Sequence, residues 1–190
     1  MAENPLVHVP AALPVLSKVN ALRRRVQGRV ASFDMIQWDQ VAYGERMRQH
    51  VHIWEMNDLC PRDGWPAVLL IHGGGWREGS WRDYESFGPQ LSRKGFMVAA
   101  MDYRLAPEHP WPAQLDDVLE AIAFLRSQLT DPDRLAVWGH SAGGHLAMMA
   151  AFMNFLRFRG WLRSRVRIFF NAFTCFAKIS PSFTRTPSNS

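Results

Sequence analysis

The stretch Leu135–Gly144, LAVWGHSAGG, narrows the possible folds more than any other part of this chain. A short apolar run ends in Gly139-x-Ser141-x-Gly143, and small residues follow at once. That order describes a strand that turns sharply into a helix. Side chains flanking so tight a turn would clash. Glycine on each side removes them and pushes the serine Oγ out over the sheet edge. The pattern needs both neighbours, a buried strand before it and a helix after it, and the sequence supplies both.

The rest of the chain repeats the alternation. VHIWEM at 51–56 reads as a strand. Ala67–Ile71 and the run FMVAAMDY at 96–103 are continuous apolar segments, which suit strands covered on both faces. A helix is predicted over 84–94. Leu115, Val118, Leu119, Ile122, Leu125 and Leu129 mark an amphipathic helix, and Asp131-Pro132-Asp133 breaks it. Strand, helix, strand, helix, strand, turn and helix predict an α/β fold with a doubly wound, mostly parallel sheet. Chemistry in such sheets gathers at the carboxyl ends of the strands. Three regions are expected: an N-terminal helical or extended segment over 1–45, a core over 46–151 and a tail over 152–190. Val15, Val19, Leu22 and Val26 predict a helix in the first region, ending in Arg23, Arg24 and Arg25.

Composition excludes several function classes. No apolar run is long enough to span a bilayer, and the N-terminus lacks the order of a secretory signal, so a cytoplasmic address is expected. Cys60 and Cys175 have no metal-type spacing and read as free thiols. His50 and His52 share a strand face but lack a third ligand, so no metal site is expected. The net charge of +5 belongs to the tail: all 17 acidic residues precede residue 152, and residues 152–190 carry seven basic residues. The body therefore gives no sign of binding nucleic acid.

A second glycine-rich stretch, His72-Gly73-Gly74-Gly75-Trp76, ends an earlier strand. Its amides can turn toward a ligand, which suits an oxyanion hole shared with the N–H of Ala142. No Gly-Lys-Ser/Thr follows, which disfavours a phosphate loop. HGGGW, then DYRLAPEHPWPAQLDD, then GHSAGGHLA together resemble three consecutive landmarks of the α/β-hydrolase family. They are closest to its hormone-sensitive-lipase-like, arylformamidase-like and feruloyl-esterase-like esterases. The resemblance implies a serine hydrolase acting on a small-molecule ester or amide-like substrate, with no metal or organic cofactor. It implies Ser141 as nucleophile and Gly74, Gly75 and Ala142 as oxyanion-hole donors. Gly73, Gly139 and Gly143 belong to the same motifs. It implies His72 as a residue that shapes the loop, and Asp102, Tyr103, Arg104 and 105–112 as a structural loop beside the pocket. Trp76, Trp81 and Trp111 are expected at the pocket mouth or in the core.

An elbow serine also needs a histidine to take its proton and an acid to orient that histidine. In this fold the acid and histidine follow the serine. Residues 142–190 hold one histidine, His145, and no Asp or Glu. His145 sits in the elbow helix, which should carry it away from the serine, and His140 should point sideways. Asp102, Asp116 and Asp117 read as loop and helix-start residues. The chain is therefore expected to be impaired, or to be an inactive truncated product or pseudoenzyme that at most binds ligands. The tail has three readings: a frameshifted or mis-spliced end, a divergent continuation in which RVRIFFNAF is the next strand, or a basic amphipathic segment for a membrane surface. The last rests on Phe152, Phe155, Leu156, Leu162, Val166, Phe169, Phe170 and Phe173 sharing one helical face. Oligomeric state is open.

Overall fold

The apolar runs AVLLI and MVAAM form strands β3 (Ala67–Ile71) and β4 (Met97–Met101), and every residue of both is buried. A strand covered on both faces has no polar side to alternate with, so a continuous apolar run is what its position requires. The structure is a computed structural model that describes residues 35–56, 66–128, 134–157, 167–171 and 174–179. These residues lie within one unit, Phe33–Ser190.

Five further strands complete the sheet: β1 (Met35–Ala42), β2 (His50–Met56), β5 (Leu135–His140), β6 (Arg167–Asn171) and β7 (Thr174–Ile179). The order across it is β1-β2-β4-β3-β5-β7-β6. β3 runs parallel to β4 and β5 at the centre. The flanking ladders, β1–β2, β2–β4, β5–β7 and β7–β6, are antiparallel. Thus β1, β4, β3, β5 and β6 point one way, and β2 and β7 the other. The sheet is mixed with a parallel centre, and the expected α/β class holds.

Its limits differ from those read in the sequence. The sheet begins at Met35, ahead of the expected boundary at residue 46. β1 hides from periodicity because Gln40 takes a φ of 50° and a bulge breaks the register between Trp38 and Val41. At the other end, the helix after the elbow runs on to Arg157, and the tail supplies two strands. RIFF does form a strand, parallel to β5 as a continuation would be, but β7 takes the place beside β5. The single helical face drawn from Phe152 to Phe173 is not formed: Phe169 and Phe170 lie on β6. Aromatic and β-branched residues in sequence favour the strand. The helix expected over 15–26 and Cys60 lie outside the described residues.

Pleating divides the core. On one face, Trp54, Val68, Leu70, Val98 and Ala100 pack with Trp81 and Tyr84, and Leu91, Ala136 and Trp138 border them. This cover comes from a 3-10 turn, Trp81–Tyr84, and a short helix α1, Phe87–Ser92, where one helix over 84–94 was expected. Val51, Ile53, Leu69, Ile71, Ala99 and Val137 point to the other face and are equally buried. Two 16-residue helices pack there: α2 (Ala113–Gln128) and α3 (Ala142–Arg157). α2 buries Leu115, Val118, Ala121, Ile122 and Leu125, at helical spacing. α3 buries Leu146, Ala147, Ala150 and Ala151 and rests on β3, β5 and β7.

Candidate active site

β3 and β5 are parallel neighbours with Ile71 opposite Gly139. Two chain segments therefore leave the sheet side by side at its carboxyl edge: His72–Gly75 from β3 and His140–Ala142 from β5. Ser141 makes the turn into α3 at a φ of 54° and is exposed. A Cβ on Gly143 would overlap the carbonyl oxygen of Ile71, and one on Gly139 would overlap that of Gly143. Both obstacles are backbone: a side chain at 143 would push the elbow off the end of β3, and one at 139 would force the turn itself open. Ala142 opens α3, where amides lack intrahelical acceptors and the helix end carries partial positive charge. The His145 amide donates to the Ser141 carbonyl at 3.0 Å.

The loop after β3 is a closed turn. The amides of Arg77 and Glu78 donate to the Gly74 carbonyl at 3.0 and 3.1 Å. Gly74, Gly75 and Trp76 are all left-handed, with φ of 92°, 57° and 63°. Among the described residues, the amides of Gly74 and Gly75 have no acceptor. The carbonyls below the loop are bound: Tyr84 Oη donates to Ile71 at 2.8 Å, and Tyr103 Oη to His72 and Gly73 at 3.0 and 3.2 Å. Burial raises the pKa of both phenols, so they remain donors.

His72 is wholly buried and stacks on Tyr103, with ring centroids 4.1 Å apart. Its Nδ1 donates to the Gly73 carbonyl at 2.8 Å. Burial lowers its pKa, against the opposing pull of that hydrogen bond and of Asp102, so the ring is neutral. Enclosed in this way, it holds the loop from below, and no hydrogen bond joins it to Ser141 among the described residues.

The segment after β4 is the loop support expected of it. Asp102 accepts the Trp81 amide at 2.7 Å and lies 3.1 Å from His50 Nε2. Burial alone would raise its pKa. The His50 hydrogen bond, the Trp81 amide and Arg48 outweigh that and hold it below the usual range. The Ala106 amide donates to the Trp76 carbonyl at 2.9 Å, joining the two loops. Asp117 is buried in α2 and accepts both the Arg104 amide and its guanidinium, each at 2.7 Å or less in its shortest contact. Asp102 and Asp117 are thus occupied in holding loops. His50 is engaged with Asp102, and His52 stacks on Trp81 at 4.0 Å inside the core.

Trp81 therefore belongs to the core, while Trp76 and Trp111 are exposed. Between these two stands the exposed ring of His145, 5.5 Å from Trp76 and 5.9 Å from Trp111. Tyr84 and Arg48 support the loop without any motif to announce them. Each acts on a carbonyl brought near only by folding.

A serine on a left-handed turn between a central parallel strand and a helix, beside a glycine loop from the adjacent strand, defines the α/β-hydrolase class of esterases. The BD-FAE family profile matches residues 60–168, and the chain belongs to that family. Esterase LipC of Mycobacterium tuberculosis is 35% identical over 117 residues, covering 58% of this chain and 28% of LipC. Arylacetamide deacetylase of Oryctolagus cuniculus is 41% identical over 94 residues, 45% of this chain and 24% of that protein. Among solved structures, a bacterial heroin esterase superposes with a TM-score of 0.57 at 29% identity, over 80% of this chain and 50% of that one. The chain thus spans between about a quarter and a third of the curated relatives' length.

Proposed function

We propose that the chain carries the nucleophile and oxyanion site of a carboxylic-ester hydrolase. The observation that supports this most is the placement of Ser141: exposed, at a φ of 54°, on the strand next to the one that delivers Gly74 and Gly75. Ser141 Oγ attacks the carbonyl carbon of a small-molecule ester, and the carbonyl π pair moves to oxygen. The amides of Gly74, Gly75 and Ala142 receive that charge. Collapse expels the alcohol with a proton and leaves an acyl-serine, which water then cleaves. Each of the three amides is free of an intramolecular acceptor among the described residues, which leaves it available to an oxyanion.

Within these 190 residues, activation of the serine is the weak step. His72 is enclosed, and His145 is the sole histidine in residues 142–190, which also hold no acid. Loss of the base in a serine hydrolase costs about 10⁶ in turnover. The 190-residue chain should therefore acylate slowly and turn over far below the roughly 1–10³ s⁻¹ of ordinary enzymes. Mass spectrometry after incubation with p-nitrophenyl butyrate tests both parts. A butyryl group on Ser141, absent in S141A, supports the ester reading. Label elsewhere, or none after prolonged incubation, sinks it. Ser141-dependent hydrolysis at ordinary rates would keep the ester reading and overturn the impairment. No described helix is long and apolar enough to cross a membrane.

A further inference from the structure

We propose that Arg48 is the positioning residue of the glycine loop, an inference that rests on the ester-hydrolase reading above. Arg48 lies in the turn between β1 and β2, outside every motif. Its Nε donates to the Tyr103 carbonyl at 2.9 Å and its Nη2 to the Gly79 carbonyl at 2.8 Å. Those two carbonyls belong to the two supports of the loop. Gly79 closes its far end: at a φ of 97° it sits so close over His72 that a Cβ would overlap Nδ1 of that ring. Residues 72 and 79 thus pinch the loop at its base. Tyr103 carries the hydroxyl that holds the carbonyls of His72 and Gly73 where the loop begins. One guanidinium therefore ties the exit of the loop to the residue under its entry.

The chemistry of the group matters here. A guanidinium is a rigid planar fork whose donors point in set directions, so it can hold two carbonyls at a fixed separation; an ammonium on a flexible stem cannot. The ion pair with Asp102 is longer, 3.8 Å, and Arg48 is partly exposed. It adds to the pull that keeps Asp102 ionised but, at that length, is not a hydrogen bond. The two carbonyl bonds carry the effect. Oxyanion donors must lie within a narrow range of the developing charge, and losing one costs about 10²–10³ in rate. A loop released at Gly79 shifts its donors without unfolding the sheet, so Arg48 acts on the reaction without touching substrate.

Two measurements on the full chain test this. Hydrogen exchange is read at the bonded amides of Arg77 and Glu78, with Leu69 and Ala99 as core references. Phosphonylation of Ser141 by a p-nitrophenyl alkylphosphonate reads the oxyanion hole directly. In Arg48→Ala, exchange at the two loop amides should accelerate while the core references hold. Phosphonylation should slow roughly tenfold or more. Millimolar guanidinium should restore the rate and methylammonium should not, and Arg48→Lys should remain slow. Unchanged loop exchange, unchanged phosphonylation, or a loss of protection that includes Leu69 and Ala99 would each overturn the proposal. Should wild-type Ser141 resist phosphonylation while the loop amides still respond to Arg48→Ala, the ester reading fails and the loop-positioning role stands.

Discussion

Ser141 holds a conformation that a side chain disfavours. A left-handed φ costs an L-residue about 1–2 kcal/mol, and glycine escapes that cost. Glycine in turn loses more chain entropy on folding, about 0.5–1 kcal/mol. Comparing two variants that both lack the hydroxyl isolates the backbone term. Ser141→Gly should be more stable than Ser141→Ala by up to about 1 kcal/mol in urea unfolding, and neither should form an acyl-enzyme. Equal midpoints would mean that the elbow stores no strain at this residue. The same residue shows the limit of pattern reading. Gly139-x-Ser141-x-Gly143 predicts the turn, because both glycines are needed where the chain presses on Ile71 and on itself. Nothing in the pattern identifies Arg48, whose partners are main-chain carbonyls at Gly79 and Tyr103. Any residue offers such a carbonyl, so the contact leaves no trace in the sequence.

At the scale of elements, the site exists because β3 and β5 are adjacent and parallel, so their ends deliver the glycine loop and the serine together. Leu69 lies at the middle of this pair, opposite Ala99 on one side and Val137 on the other, and is fully buried. Leu69→Ala should cost about 2–5 kcal/mol, through lost burial and the cavity left behind. Met47, 92% exposed in the β1–β2 turn, should tolerate Met47→Ser within about 0.5 kcal/mol. Urea midpoints at constant m-value would check both; a small loss at Leu69 would mean that the central strands are loosely packed. The central elements are legible because each is a continuous apolar run or a strong helical stripe. β1 and β7 are not. A bulge scrambles the period of β1, and the place of β7 between β5 and β6 depends on pairing between residues distant in sequence.

For the whole molecule, acid stability should follow two buried histidines. Burial lowers the pKa of both His52 and His72, against pulls from Asp39 in the first case and from the Gly73 carbonyl in the second. The unfolded chain, with histidines near 6.5, then binds more protons than the folded one as pH falls below that value. Their stability contribution is complete above about pH 6.5 and is lost as pH drops toward the lowered folded values. Asp102, held low, adds a separate loss in the range below its unfolded value of about 3.9. Glu120 works in the opposite sense, since burial and Asp117 raise its pKa. Unfolding free energy measured by urea from pH 7.5 to 5 should decline. A flat or rising curve in both the wild type and Glu120→Gln would show that His52 and His72 are not buried as neutral rings.

By itself the sequence determined the α/β class, the central strands, the elbow at Ser141 and the glycine loop at His72–Gly75. Each of these is local: a run of apolar residues, or glycines where the adjoining chain leaves no room for a side chain. Only the tertiary structure decided which strands are neighbours, that the tail adds β6 and β7 to the sheet, and that His72 is enclosed while His145 stands between Trp76 and Trp111. It also decided that Asp102 and Asp117 hold loops, and that Arg48 joins Gly79 to Tyr103. The physical reason is common to all of these. Strand pairing and side-chain contact to backbone join positions far apart along the chain through groups every residue carries, so their geometry arises only when the sheet has closed.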